Sequence, residues 1–375
     1  MNIAFFCIPA HGHTNPTLAV VRELTARGHT VRYYTTEAFR AKVEAAGAVF
    51  VPFDTEAARP GMTAADGARL GSDLAFSTKL IVDLTLAADD WLSRELTAHR
   101  PDVIAGDSMA FWAKLAAKKH GIPFVSSTTT FAFNRFSAKV IEQNGAGFLQ
   151  FLLAQPRINR QLKRLRAAGY AVKSVFDIIA NDNETETVVY TSPDFQPCAD
   201  TFSEKYHFVG PLLRPAQSSF EKLPGRSLIY ISLGTVNNDA LPFYRACLAA
   251  FGGDPRFQLV LSAGTQTDLA ALGPIPENCT VRASVDQMAV LDCADIFLTH
   301  CGMNSASEGL WHGLPLVLYP QTPEQHGVAN RVAALGAGVP LTDPSADGIR
   351  RAVEAALTDP AYRENAQKLA DGFRR

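Results

Sequence analysis

The sequence predicts an α/β protein built from two doubly wound, Rossmann-like parallel-sheet domains. Short, nearly continuous apolar runs alternate with helical patterns in both halves of the chain, as in a parallel sheet covered on both faces. The 375 residues exceed what one hydrophobic core usually holds. Between the two runs of alternation lies GPLLRPAQSSFEKLPGR at 210–226, rich in Pro, Gly and Ser, which reads as a linker. The expected domains are therefore 1–211 and 226–375, joined by 212–225.

In the first half, strands are expected at 3–8, 31–35, 49–53, 103–107 and 124–127, with helices at 16–27, 36–46, 78–99 and 109–120. The opening MNIAFFCIPA is apolar but has no basic n-region and runs into a Gly-His turn. It reads as a buried first strand rather than a signal peptide. Residues 130–180 break the rhythm, with Phe131, Phe133, Phe136, Phe148 and Phe151 followed by the basic RINRQLKRLR. That basic stretch reads as a solvated helix face rather than a membrane-surface contact. The second half gives strands at 228–232, 258–262, 279–283, 295–299 and 316–319. Helices are expected from about 241, near 288, and at 304–312 and 323–335, before two closing helical segments.

Composition narrows the function classes. A formal net charge of −2 with no long run of one sign does not suit a nucleic-acid surface. No apolar run reaches transmembrane length, so stable membrane insertion is not expected. The cysteines at 7, 198, 247, 279, 293 and 301 are scattered without a C-x-x-C spacing. Reduced thiols in a cytoplasmic protein fit this pattern; a disulfide or zinc framework does not.

Two stretches carry chemistry. In PAHGHTNP, residues 9–16, Asn15 suits an N-cap and Pro16 a first helical position, which places His13 in the turn before the helix. The positive helix end favours neutral imidazole, the state a general base needs. Asp107 ends the run DVIAGD on the same sheet edge, where a carboxylate can orient the base. The plainer alternative makes His11 and His13 backbone-bonded loop residues and Asp107 a cap for the helix from Met109. These residues by themselves leave the two readings even.

The second stretch, 282–325, contains neither G-x-G-x-x-G nor a P-loop. It sets Thr299-His300-Cys301-Gly302 between a strand and a helix starting near Asn304. A helix amino terminus seats pyrophosphate through its unpaired N–H groups and positive dipole. His300, Asn304 and Ser305 add donors there, and Thr235 in SLGT offers a hydroxyl on the same edge. Glu308 also fits a capping box, Ser305-Ala306-Ser307-Glu308, and capping would explain several of these polar residues.

The 282–325 stretch resembles the donor-binding signature of the family 1 UDP-dependent glycosyltransferases of GT-B fold. GHTNP resembles that family's N-terminal catalytic turn, and the whole is similar to bacterial macrolide and flavonoid glycosyltransferases. The resemblance runs over nearly the whole chain, with H-C-G-x-N-S-x-x-E its most specific part. It implies two domains facing across a cleft, and allows the last helix to pack back on the first domain. By position, His13 matches the histidine that deprotonates the acceptor hydroxyl, and Asp107 its orienting carboxylate. His300, Asn304 and Ser305, around Gly302, match the diphosphate contacts, and Thr235 a further phosphate contact. Gln287 and Glu308 match contacts to the ribose, and Glu324 and Gln325 the pair that holds the sugar hydroxyls.

There are two departures from the family pattern. Ser284 stands where the family often stacks a Trp on uracil, and Glu324 replaces the usual Asp. His11 lies outside the matched position and is read as a loop residue lining the acceptor pocket. Phe131, Phe133, Phe136 and Phe148 are candidates for an aromatic acceptor pocket, with ordinary core packing the alternative for each.

The implied activity is inverting transfer of a hexose, glucose first, from a UDP-sugar to a hydroxyl of a flavonoid, phenol or macrolide. The UDP-sugar is a co-substrate and no cofactor is expected. With no Asp-x-Asp triplet and few carboxylates near the phosphate motif, no metal is expected either. Two rivals are a UDP-sugar 2-epimerase on the same fold and a non-catalytic nucleotide-binding module. The hydrophobic 130–155 segment argues against the first, and the His13–Asp107 pairing against the second.

Overall fold

The computed structural model describes residues 1–53, 73–134, 136–137, 147–235 and 238–375, without the side chains of 147–152. The chain divides into two compact units: unit 1 is Met1–Tyr190 with Cys198–Leu212, and unit 2 is Thr191–Pro197 with Leu213–Arg375.

Among the described residues, unit 1 forms a seven-stranded sheet. Its strands are β1 (Asn2–Phe6), β2 (Thr30–Thr35), β3 (Val49–Pro52), β4 (Val103–Asp107), β5 (Phe124–Thr128), β6 (Glu186–Val189) and β7 (Tyr206–Phe208). They lie in the order β3-β2-β1-β4-β5-β6-β7, all parallel. The helices are α1 (His11–Ala26), α2 (Arg40–Ala45), α3 (Leu74–His99), α4 (Phe111–His120), α5 (Gly147–Ala167) and α6 (Phe176–Ile179). Successive β1 residues serve opposite faces: Phe5 joins the core with Tyr33, Val21 and Val43, and Phe6 the core with Tyr34, Leu92 and Trp112. Burial on both faces is why β1 reads as an unbroken apolar run.

The start of α1 corrects the sequence expectation. The helix begins at His11, five residues before Pro16, and His13 stands in its first turn rather than in a preceding loop. Ala10 is the N-cap, and its carbonyl accepts from the amides of both His13 and Thr14. Pro16 withholds only one amide from the ladder, a loss the helix tolerates. Asn15 does not cap; its Oδ1 accepts from Lys42 Nζ at 3.1 Å. Strands β6 and β7 were not expected, because four and three residues are too few to show a period. On α5, Arg157, Arg160 and Lys163 are exposed, while Ile158, Leu162 and Leu165 are buried in a core shared with Val82. The basic stretch is thus the solvated face of an amphipathic helix.

Unit 2 holds β8 (Ser227–Ser232), β9 (Phe257–Ser262), β10 (Cys279–Arg282), β11 (Ile296–Thr299), β12 (Leu316–Leu318) and β13 (Gly338–Pro340). Their order is β10-β9-β8-β11-β12-β13, again all parallel. The helices are α7 (Leu241–Phe251), α8 (Gln287–Leu291), α9 (Met303–Trp311), α10 (Pro323–Ala334), α11 (Ala346–Thr358) and α12 (Pro360–Arg374). Strand β13 also escaped the sequence, being three residues with a Gly and a Pro. Residues 191–197 cluster with unit 2 rather than with the residues before them. Arg331 donates to the carbonyls of Asp194 and Phe195, and Phe195 meets Phe373 of α12 edge to face at 5.7 Å.

In each sheet the strand order reverses once, between β1 and β4 and between β8 and β11, the point outside which such sheets bind ligands. All six cysteines are unpaired. Among the described residues no helix is long and apolar enough to cross a membrane.

Candidate active site

In unit 1, three adjacent strands deliver three side chains to one edge. β1 leads into α1 and His13, the neighbouring β4 ends in Asp107, and β5 is followed by Thr129. His13 Nδ1 lies 2.8 Å from Asp107 Oδ2 and 2.9 Å from Thr129 Oγ1. The Asp107 carboxylate is fully buried, whereas His13 keeps 18% of its side chain exposed. The other Asp107 oxygen accepts from the Met109 amide at 2.9 Å. The capping alternative for Asp107 is not realised: α4 starts at Phe111 with Ala110 as its N-cap and no side-chain cap, so the Met109 bond ties down the turn before the helix while the other oxygen meets His13. A buried carboxylate only accepts, so the imidazole proton sits on Nδ1 and the basic lone pair on Nε2. Thr129 was missed because one threonine in the run SSTTTF gives no signal of its own.

His11 is not a loop residue. It is the first residue of α1, exposed, with its ring 5.0 Å from that of Phe39 and its Nδ1 accepting from Lys42 at 3.4 Å. Partial burial and the Lys42 charge push its pKa down. Phe131 is buried and Phe133 exposed, and both line a cavity that also reaches Asp107 and Lys114. Phe136 is exposed outside that lining, and the Phe148 side chain falls outside the described residues.

In unit 2, β8 and β11 pair in register Ser232↔Thr299, so the turns carrying Thr235 and His300 leave the same sheet edge. The His300 ring lies in a slot between two glycines. A Cβ on Gly234 or on Gly302 would come within 2.6 Å of it, and Gly234 has φ +78°. Cys301 takes the left-handed conformation (φ 63°), which turns the chain sharply into α9. Burial pushes the His300 pKa down to about 4, with the Ser232 backbone offsetting this only in part. His300 is thus a neutral hydrogen-bonding group at ordinary pH. The α9 N-cap is Gly302, which has no side chain to satisfy the first amides, and Asn304 and Ser305 follow in the first turn.

The capping box proposed for Glu308 does not form. Glu308 Oε2 accepts from Gln287 Nε2, and Gln287 Oε1 accepts from the Tyr230 hydroxyl at 2.9 Å. Burial raises the Glu308 pKa, opposed by the Gln287 bond. A true capping box does form around Gln325. Thr322 Oγ1 accepts from the Gln325 amide, and Gln325 Oε1 accepts from the amides of Gln321 and Thr322. Glu324 is exposed in the first turn of α10, and Ser284 is exposed after β10. Among the described residues no group of three or more His, Cys, Asp or Glu could hold a metal ion.

Residues 257–374 match the model of the erythromycin biosynthesis protein CIII-like C-terminal domain. The chain is 33% identical to the NDP-glycosyltransferase YjiC of Bacillus licheniformis over 98% of this chain and 92% of that protein. It is also 33% identical to the demethyllactenocin mycarosyltransferase of Streptomyces fradiae, over 100% of this chain and 83% of that one. The crystal structure of the glycotransferase of kitacinnamycin superposes with a TM-score of 0.85 at 30% identity, covering 100% of this chain and 94% of that one. Two parallel-sheet domains of this order define the GT-B class. The chain belongs to the family 1 glycosyltransferases of GT-B fold, and it is an enzyme of the type that transfers a sugar from a nucleotide.

Proposed function

We propose that this enzyme moves a hexose, glucose in first place, from a UDP-sugar to a hydroxyl of a hydrophobic small molecule, with inversion and without a metal ion. The observation that carries the reading is the His13–Asp107 pair, a base whose proton is fixed on Nδ1 by a fully buried carboxylate. The acceptor oxygen bonds to the anomeric carbon as its proton passes to His13 Nε2. The bond from that carbon to the nucleoside diphosphate breaks on the opposite side, and its electrons leave with the phosphate. Asp107 stabilises the imidazolium that forms.

In unit 2, the charge developing on the leaving diphosphate falls to the amino end of α9 at Gly302, to Asn304 and Ser305, and to Thr235. Neutral His300 donates a hydrogen bond to it rather than supplying a cation. Gln287 and Glu308, already aligned by Tyr230, take the ribose hydroxyls. Glu324 and Gln325 take the sugar; the Gln325 carbonyl is committed to its capping box, so its amide is the end offered to a hydroxyl. Exposed Ser284 in place of a stacking Trp leaves room for thymine as well as uracil. Phe131 and Phe133 supply apolar walls for the acceptor, and six free cysteines fit a cytoplasmic enzyme.

The test is a mass-spectrometric screen of UDP-glucose, UDP-galactose and dTDP-glucose against phenolic, flavonoid and macrolide acceptors. A hexose adduct formed from UDP-glucose, with its anomeric configuration inverted by NMR, is the expected product. An altered nucleotide sugar in the absence of acceptor, or no adduct in any combination, overturns the proposal. Turnover with dTDP-glucose alone overturns the uridine assignment only.

A further inference from the structure

The cavity of unit 1 contains a cation that the transfer chemistry does not use. Lys114, on α4, faces a lining otherwise dominated by Phe111, Phe131, Phe133 and Ile178. Its Nζ donates to the carbonyl of Ala180, the C-cap of α6. An ammonium has three N–H groups. Among the described residues, no carboxylate comes within ion-pair distance of it; Asp177 and Asp182 act on it only through space. Asp177 is turned to the Lys173 amide and Ser174, and Asp182 to the Glu184 amide and Thr185. Lys118 adds a second positive field from one turn along α4. Asp107, the acidic group in the same lining, has both oxygens engaged by His13 and Met109.

A half-buried ammonium with one neutral protein acceptor keeps two N–H groups to offer to the cavity. An anionic oxygen is the acceptor that matches them, and charge-assisted bonds in such a site are about twice as strong as neutral ones. We propose that the acceptor carries a carboxylate, held by Lys114 in the same cavity whose wall includes Asp107. Lys114 is then a specificity-determining residue for acidic hydroxylated aromatics. The inference rests on the proposed acceptor role of this cavity.

The experiment compares 4-hydroxycinnamate with its methyl ester, which keeps the ring and hydroxyl and removes the charge. Binding of each to the full chain is measured by calorimetry for the native protein, Lys114→Met, Lys114→Gln and Lys114→Arg. The native protein is expected to bind the carboxylate at least tenfold more tightly than the ester. Met and Gln at 114 should abolish that preference, and Arg should keep most of it. If the native protein binds the ester as well as the acid, or binds neither, the proposal is wrong. It is equally wrong if the Gln variant, folded by its melting curve, keeps the full preference. A lysine that merely secures α6 would lower Tm and weaken both ligands alike. Glucosyl transfer to the ester by the native protein tests the transferase reading separately, since that step does not call on Lys114.

Discussion

Replacing Asp107 by Asn tests the base assignment without emptying the site. Asn has the same shape, and the structure decides which way its amide turns. Asp107 Oδ1 accepts from the Met109 amide at 2.9 Å, so the Asn oxygen must stay there. The reverse orientation would set two donors face to face, at a cost of about 1–3 kcal/mol. The Asn NH2 therefore points at His13 Nδ1, which stands 2.8 Å from Oδ2 in the native protein. Nδ1 must then accept, its proton moves to Nε2, and the position that should receive the acceptor proton is already occupied. The anion that stabilises the imidazolium is lost as well. General-base assistance is worth about 100- to 10,000-fold, and a carboxylate-to-amide change beside a catalytic histidine reaches the upper end of that range. The expected loss in kcat/KM is therefore about 4–5.5 kcal/mol of barrier for alkyl alcohols and weakly acidic phenols. The loss should shrink for acceptors that ionise unaided. Rates are measured across acceptors of graded pKa, with UDP affinity by calorimetry and Tm as controls. Both controls should barely change, because the fold keeps its hydrogen bonds and the proposed nucleotide site belongs to unit 2. Activity within threefold of native for every acceptor would refute the role given to the pair.

Four further outcomes follow. His13→Ala should bind nucleotide normally yet lose at least as much turnover as the Asn variant, while His11→Ala keeps most activity; the reverse order of the two would show that His11 is the base. Gly234→Ala sets a methyl 2.6 Å from the His300 ring at φ +78°, so nucleotide affinity should fall at least tenfold, read by calorimetry. His300 has a folded pKa near 4, below its unfolded value of about 6.5, so its share of stability is full above pH 6.5 and declines as pH falls towards 4. Between those limits His300→Gln should lose less Tm than the native chain, and the same variant should transfer sugar more slowly at neutral pH. Turnover should survive EDTA in excess; loss that is restored by magnesium or manganese would show that a metal carries the leaving group.

Much of this protein is legible in one dimension. Each central strand is buried on both faces, so Ile3 to Phe6 or Leu228 to Ile231 must be apolar throughout, and such runs stand out. The side chains proposed to meet ligand lie at or just beyond the carboxyl ends of those strands, which made His13, Asp107, Thr235 and His300 visible by position. What remained hidden depends on neighbours distant in sequence. Local chemistry favoured a helix start at Asn15-Pro16, but the two bonds to the Ala10 carbonyl carry the helix back to His11. Ser305 and Glu308 have capping spacing, yet Gln287, 21 residues away, takes the carboxylate. Thr129 reaches His13 across 116 residues because β1, β4 and β5 lie side by side. Lys114 looks like any lysine in the first turn of a helix until the fold sets it beside Phe111, Phe131 and Phe133 in the wall of a cavity. Sequence periodicity records which face of an element is buried; only the packed sheet decides which two side chains share a hydrogen bond.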